Sequence, residues 1–124
     1  MKTLFVVTRT RGSAWDPDQP MNLQEQWPAH ATFMDELATL RFIVLGGPVG
    51  DEGNILLVVD AADEAEVRST LEGDPWSQLG ILELDSIQRW TVLLQAGPER
   101  DPVVLRLLPS PPEQQARAAG KARK

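Results

Sequence analysis

The sequence predicts an α+β fold of ferredoxin-like type, an antiparallel sheet built in the order β-α-β-β-α-β. Three observations predict it. The runs "LFVV", "FIVL" and "ILLVV" are apolar at consecutive positions, the signature of strands buried on both faces. Two intervening stretches carry helical spacing and helix-start signals. The loop "GGPVGDEG" lies between the second and third runs, as a hairpin connection does.

Taken in order, "TLFVVTR" is β-branched and aromatic and forms a strand over about residues 3–9. "GSAWDPDQP" is a loop by its Gly, Ser, Asp and Pro content. Asn22, with Glu25 three residues on, predicts a capped turn. Pro28 suits the first turn of the main helix, where its missing N–H costs nothing. Trp27, His30, Met34 and Leu37 then recur at helical steps, with Phe33 and Leu40 alongside, giving an amphipathic helix to about Leu40.

"RFIVLGGP" is the second strand, ended by Gly46, Gly47 and Pro48, and "GNILLVVD" is the third. Asp63 and Glu66 form a capping box for a second helix, which Gly73 stops. Glu64–Arg68 and Arg68–Glu72 stand at helical pair spacing. Asp74 before Pro75 is biased to extended backbone and can cap a short turn that contains Ser77. "ILELDSIQRWTVLL" is a long last strand whose alternation breaks at Ser86–Ile87, predicting a bulge. These elements place the folded domain at residues 1–96. Residues 97–124 hold five of the ten prolines and read as a basic, extended or partly disordered tail.

At 124 residues the chain is long enough for one hydrophobic core. Two helices cover only one face of a four-stranded sheet, so the second apolar face calls for a second copy of the chain, and a homodimer is expected. The alternative cover is the tail folding back.

Composition excludes several functions. The sequence has no cysteine and one histidine, so disulfides, thiolate catalysis, zinc–sulfur sites and any convincing metal site are not expected. No cofactor motif is present: "GGPVGDEG" has no lysine and leads into a strand, so it lacks the helix start that holds a phosphate. Residues 1–96 carry 6 Lys and Arg against 15 Asp and Glu, an acidic body that repels phosphate backbones; nucleic acid is not expected as a partner. No apolar run of about 18 residues exists to span a membrane. The N-terminal run is followed by arginines, which suits a first strand in a cytoplasmic protein better than a signal peptide.

Two stretches remain for chemistry, "WPAHATFMDEL" and "EGDPWSQLGI". His30 is the one imidazole and suits a general base or a hydrogen-bonding reader. A lone histidine on an apolar stripe serves equally as a core residue, and Asp before Pro is a common cap. The pattern of His30, "GGP" at 46–48, "DPW" at 74–76, Gly80 and Trp90 resembles the YciI-like (YCII-related) family over about residues 2–94. That resemblance implies a dimeric α+β barrel of ferredoxin-like protomers. It also implies a His–Asp pair, carried here onto His30 and Asp74, beside a cleft. Thr39-Leu40-Arg41 departs from the pattern, since a glycine usually ends that helix, and the tail has no counterpart in it.

Two functions follow. The first is a cofactor-free isomerase or lyase on a small organic molecule, in which Asp74 orients His30 and His30 moves a proton. Trp27, Phe33 and Trp76 would wall the pocket beside Ser77, and Arg9 would neutralise a substrate anion. The second is a module that binds a small ligand or another protein without chemistry. Direct His30–Asp74 contact beside an open cavity favours the enzyme.

Overall fold

The computed structural model describes residues 3–95, which divide between a unit ending at Trp90 and one beginning at Thr91. The first unit runs β1 (Thr3–Arg11), a 3₁₀ turn (Met21–Leu23), α1 (Trp27–Thr39), β2 (Ile43–Val49), β3 (Asn54–Ala61), α2 (Glu64–Leu71), α3 (Pro75–Leu79) and β4 (Leu82–Trp90). The strands form one antiparallel sheet in the order β2-β3-β1-β4, so the expected α+β, ferredoxin-like arrangement is present with one extra short helix. Of the second unit only residues 91–95 are described, and they form neither helix nor strand. The expected tail over 97–124 lies outside the described residues. Among the described residues no helix is long and apolar enough to cross a membrane.

Alternation along β1 divides its side chains between two faces. Phe5 and Val7 point into a core closed by Leu37 of α1 and by Val67 and Leu71 of α2. A second cluster gathers Trp76, Ile81 and Leu82, with Trp15 and Trp27 packed against it. On the opposite face Leu45, Val58 and Val6 lie side by side across β2, β3 and β1, and Leu4 lies beside Trp90. None of these belongs to either core cluster, although Val58 is buried.

Several local features depart from the sequence expectation. Gly46, Gly47 and Pro48 do not end β2; they lie within it, paired with Leu57, Leu56 and Ile55. β2 is an edge strand, where a residue without N–H is tolerated because only one side of the strand needs a ladder. Its register slips between Ile43 and Leu45, leaving Val44 as the extra residue. The last strand stops at Trp90 instead of continuing to Leu94. Its bulge comes one position before the expected site: Ser86 pairs Thr8 and Leu84 pairs Arg9, so Asp85 is the extra residue.

The turn at Asn22 is a 3₁₀ turn that begins after Pro20 with no side-chain cap, so the expected Asn22–Glu25 cap does not form. The box on α2 does form, in a shifted version. Asp63 accepts from the Glu66 N–H at 2.8 Å, while the Glu66 carboxylate accepts from the N–H of Ala62 at 2.7 Å. Glu64–Arg68 forms an exposed pair at 3.3 Å. At the end of α1, Arg41 holds the left-handed conformation (φ 64°) that a glycine usually fills. The bonds Arg41 N–H to Ala38 O and Phe42 N–H to Leu37 O close the helix as a Schellman turn despite the side chain.

Candidate active site

Asp74 is the centre of the site. It precedes α3 in extended backbone and caps that helix, accepting from the Trp76 N–H at 3.0 Å. Both of its oxygens lie 2.9 Å from His30 Nδ1, and Oδ2 also accepts from Arg9 at 2.9 Å. The residue is wholly buried. Burial alone pushes its carboxyl up, but the hydrogen bonds from His30 and the Trp76 N–H, with the charges of His30 and Arg9, hold it below the ordinary value of 3.8. An ionised carboxylate only accepts, so His30 Nδ1 carries the hydrogen and Nε2 is the basic nitrogen.

His30 comes from the first turns of α1 and stacks on Trp76, with ring centroids 3.8 Å apart and planes 5° from parallel. Trp76 is itself fixed by its indole N–H, which donates to Glu25 O at 2.6 Å. Trp27 leans on both rings at 5.8 and 5.7 Å, and Trp15 meets Trp76 edge-on at 5.8 Å. The imidazole therefore has one nitrogen tied, one face covered and no further hydrogen bond among the described residues.

Two cavities meet at His30, which they share with Met21, Pro48 and Ile55. One, of about 370 Å³, lies between the 12–20 loop, the tip of the β2–β3 hairpin and the His30–Trp76 stack. The other, of about 490 Å³, runs between α1 and β2 and is lined by Trp27 and Met34. Either volume is sufficient for a single-ring compound.

The site residues expected from sequence separate into two groups. His30, Asp74, Trp27 and Trp76 come together as expected. Arg9, Ser77 and Phe33 line neither cavity at His30. Arg9 is 1% exposed, with one guanidinium nitrogen on Asp74 and another on Ser77 Oγ at 2.7 Å. Its guanidinium is thus engaged by protein groups, away from the two cavities at His30. It holds Asp74 in place. Ser77 passes its own hydrogen to Leu71 O, which ties this support to the end of α2. Phe33 packs against the main core.

Sequence reasoning did not pick out Arg11 and Trp15, which line the smaller cavity, or Gln24, which supports the loop beside it. Buried Gln24 bonds the backbone of Asp16 and Gln19 and thereby folds the 16–20 loop into place. Arg11 was legible in principle, because it follows Arg9 by one strand period. Among the described residues no cluster of His, Cys, Asp and Glu suits a metal ion.

The YCII-related domain matches residues 1–91. Among solved structures the chain is similar to the 5-chloro-2-hydroxyhydroquinone dehydrochlorinase of Burkholderia phenoliruptrix AC1100, in complex with 2,5-dihydroxybenzoquinone. The TM-score is 0.52 and the identity 26%, over 71% of this chain and 93% of that one. No curated protein matches the chain.

Proposed function

Because the chain belongs to the YCII-related domain family, with residues 1–91 matched, we propose that it is a cofactor-independent lyase that eliminates a small leaving group from a ring compound. The observation that carries this reading is the His30 imidazole, hydrogen-bonded to buried Asp74 at 2.9 Å and lining two open cavities. A sealed core histidine would line none.

In the proposed reaction His30 Nε2 takes a proton from the substrate as the leaving group departs with its bonding electrons. Asp74 keeps the productive tautomer and stabilises the imidazolium that forms. No electron acceptor is required, since loss of a proton and an anion together is not a net redox change. The similarity to a dehydrochlorinase supports elimination over isomerisation.

The test supplies 5-chloro-2-hydroxyhydroquinone and follows chloride release. Wild type should exceed the uncatalysed rate, and His30→Asn should lose about 10²–10⁴-fold of that acceleration, the usual worth of a positioned general base. Equal rates for wild type, His30→Asn and buffer would leave a ligand-binding module as the function.

We further propose that the protein acts as a symmetric homodimer joined through the sheet face that bears Leu4, Val6, Leu45 and Val58. The support is physical: this second apolar face lies outside both core clusters. Light scattering should give twice the chain mass, and Val6→Asp should shift it to the mass of one chain. A wild-type monomer at tens of micromolar would refute the dimer.

A further inference from the structure

The smaller cavity at His30 is also lined by a cation. Arg11, the last residue of β1, lines it together with His30, Trp15 and Trp76. The Arg11 guanidinium carbon lies over the Trp15 ring, 4.5 Å from its centroid. Gly53 also lies close against the arginine: an added Cβ there would come within 2.6 Å of Arg11 Cδ and 2.8 Å of Nε. Gly53 also holds a positive φ of 81°, so the position resists a side chain on two counts. The arginine is thus held against a tryptophan face and close to a bare stretch of hairpin backbone.

Its charge is not spent internally. Among the described residues the Arg11 guanidinium makes no hydrogen bond or ion pair, and Asp51, which lines the same cavity, does not join it. Stacking on an indole face leaves the edge donors of a guanidinium available. This unspent cation belongs to a body with 15 acidic residues against 6 basic ones over residues 1–96, whose general field repels anions. A negatively charged ligand enters such a cavity only with a local counter-charge.

We propose that Arg11 is the substrate's anion anchor, and that the ligand of this site is a planar ring bearing an ionised oxygen, such as a phenolate or an ionised hydroxyquinone. The proposal rests on the reading of His30 as the proton acceptor and names the substrate class for that same site. The stacked rings of Trp76 and His30, with Trp15 set edge-on to Trp76, supply an aromatic wall between the anchor and the base. One ring then spans them, its ionised oxygen on Arg11 and its transferable proton at His30 Nε2.

Calorimetric titration tests this with two probes at neutral pH, 2,5-dihydroxybenzoquinone, which is ionised, and its uncharged dimethyl ether. Wild type should bind the ionised ring more tightly than the ether. Arg11→Met should weaken the ionised probe by roughly tenfold or more, the loss expected for a hydrogen bond to a charged group, and leave the ether unchanged. Arg11→Lys should recover part of the loss, and His30→Asn should keep the preference for the anion. Equal affinity of wild type and Arg11→Met for the ionised ring would overturn the anchor, as would wild type binding neither probe. The two proposals fail separately. Arg11-dependent binding without chloride release removes the elimination and keeps the anchor. Turnover in Arg11→Met with unchanged KM does the reverse.

Discussion

Arg9 and Arg11 leave the same side of β1 one strand period apart, and they differ in almost every other respect. Arg9 is sealed beneath α3, with Asp74 and Ser77 as partners. Arg11 lies on a tryptophan at the mouth of a cavity and has no ion partner among the described residues. A buried cation can only be structural, since its donors are consumed by groups that would be costly to leave alone. An open one has donors to offer. Burial, not residue type, separates the arginine that supports the site from the one that lines its cavity.

The largest effect should come from breaking the buried half of this contrast. Arg9→Met leaves Asp74 with a carboxylate oxygen short of its cation, and removing one partner of a buried pair typically costs about 3–5 kcal/mol. Chemical denaturation should show a loss on this scale. A loss below about 1 kcal/mol would mean that His30 and the Trp76 N–H alone suffice for Asp74.

Acid sharpens the same contrast with a smaller effect. The Asp74 carboxyl sits below 3.8 in the folded chain. The stability it contributes is therefore complete above that value and disappears as pH falls through the folded-state value. Asp74→Asn removes this contribution, so wild type should exceed the variant at pH 6 and converge on it in denaturation curves taken below about 3.8. A gap that stays constant from pH 6 to 3 would show that Asp74 acts through packing and not through its charge.

The smallest effect belongs to the open half. Arg11→Met gives up only a cation–π contact, so stability should change by no more than about 1 kcal/mol. Thermal melts of the two methionine variants, run side by side, would show the difference between the arginines directly.

The sequence shows Arg9 and Arg11 as near-equivalent, so it gives no ground for telling the buried one from the one that lines the cavity. Periodicity places both on one face, but which of them lies under the start of α3 is set by tertiary packing. The helix-and-strand order was legible because apolar runs and caps are local signals. His30 and Asp74 were legible because Asp before Pro and a histidine at a helix start are both local, and the family pattern joined them. The end of β2 was not, since Gly-Gly-Pro reads as a turn unless the strand is known to be at an edge. The 3₁₀ turn at Met21–Leu23 was obscured for a similar reason: Asn22 and Glu25 have cap spacing, but the helix they would start begins at Trp27. Arg41 shows the opposite case, a left-handed position filled by a residue that gives no warning of it.

The two irregular outer strands bear on how the protein behaves when crowded. The sheet can grow only from β2 or β4, its edges. β2 carries the extra residue Val44 and, at Pro48, a position with no N–H to donate; β4 carries the extra residue Asp85, charged and exposed. A strand arriving from another molecule would meet a broken ladder on either side, so fibril-like, edge-on polymerisation is disfavoured even for strands this rich in valine and leucine. Open-ended growth along the ladder is thereby opposed at both edges of the sheet.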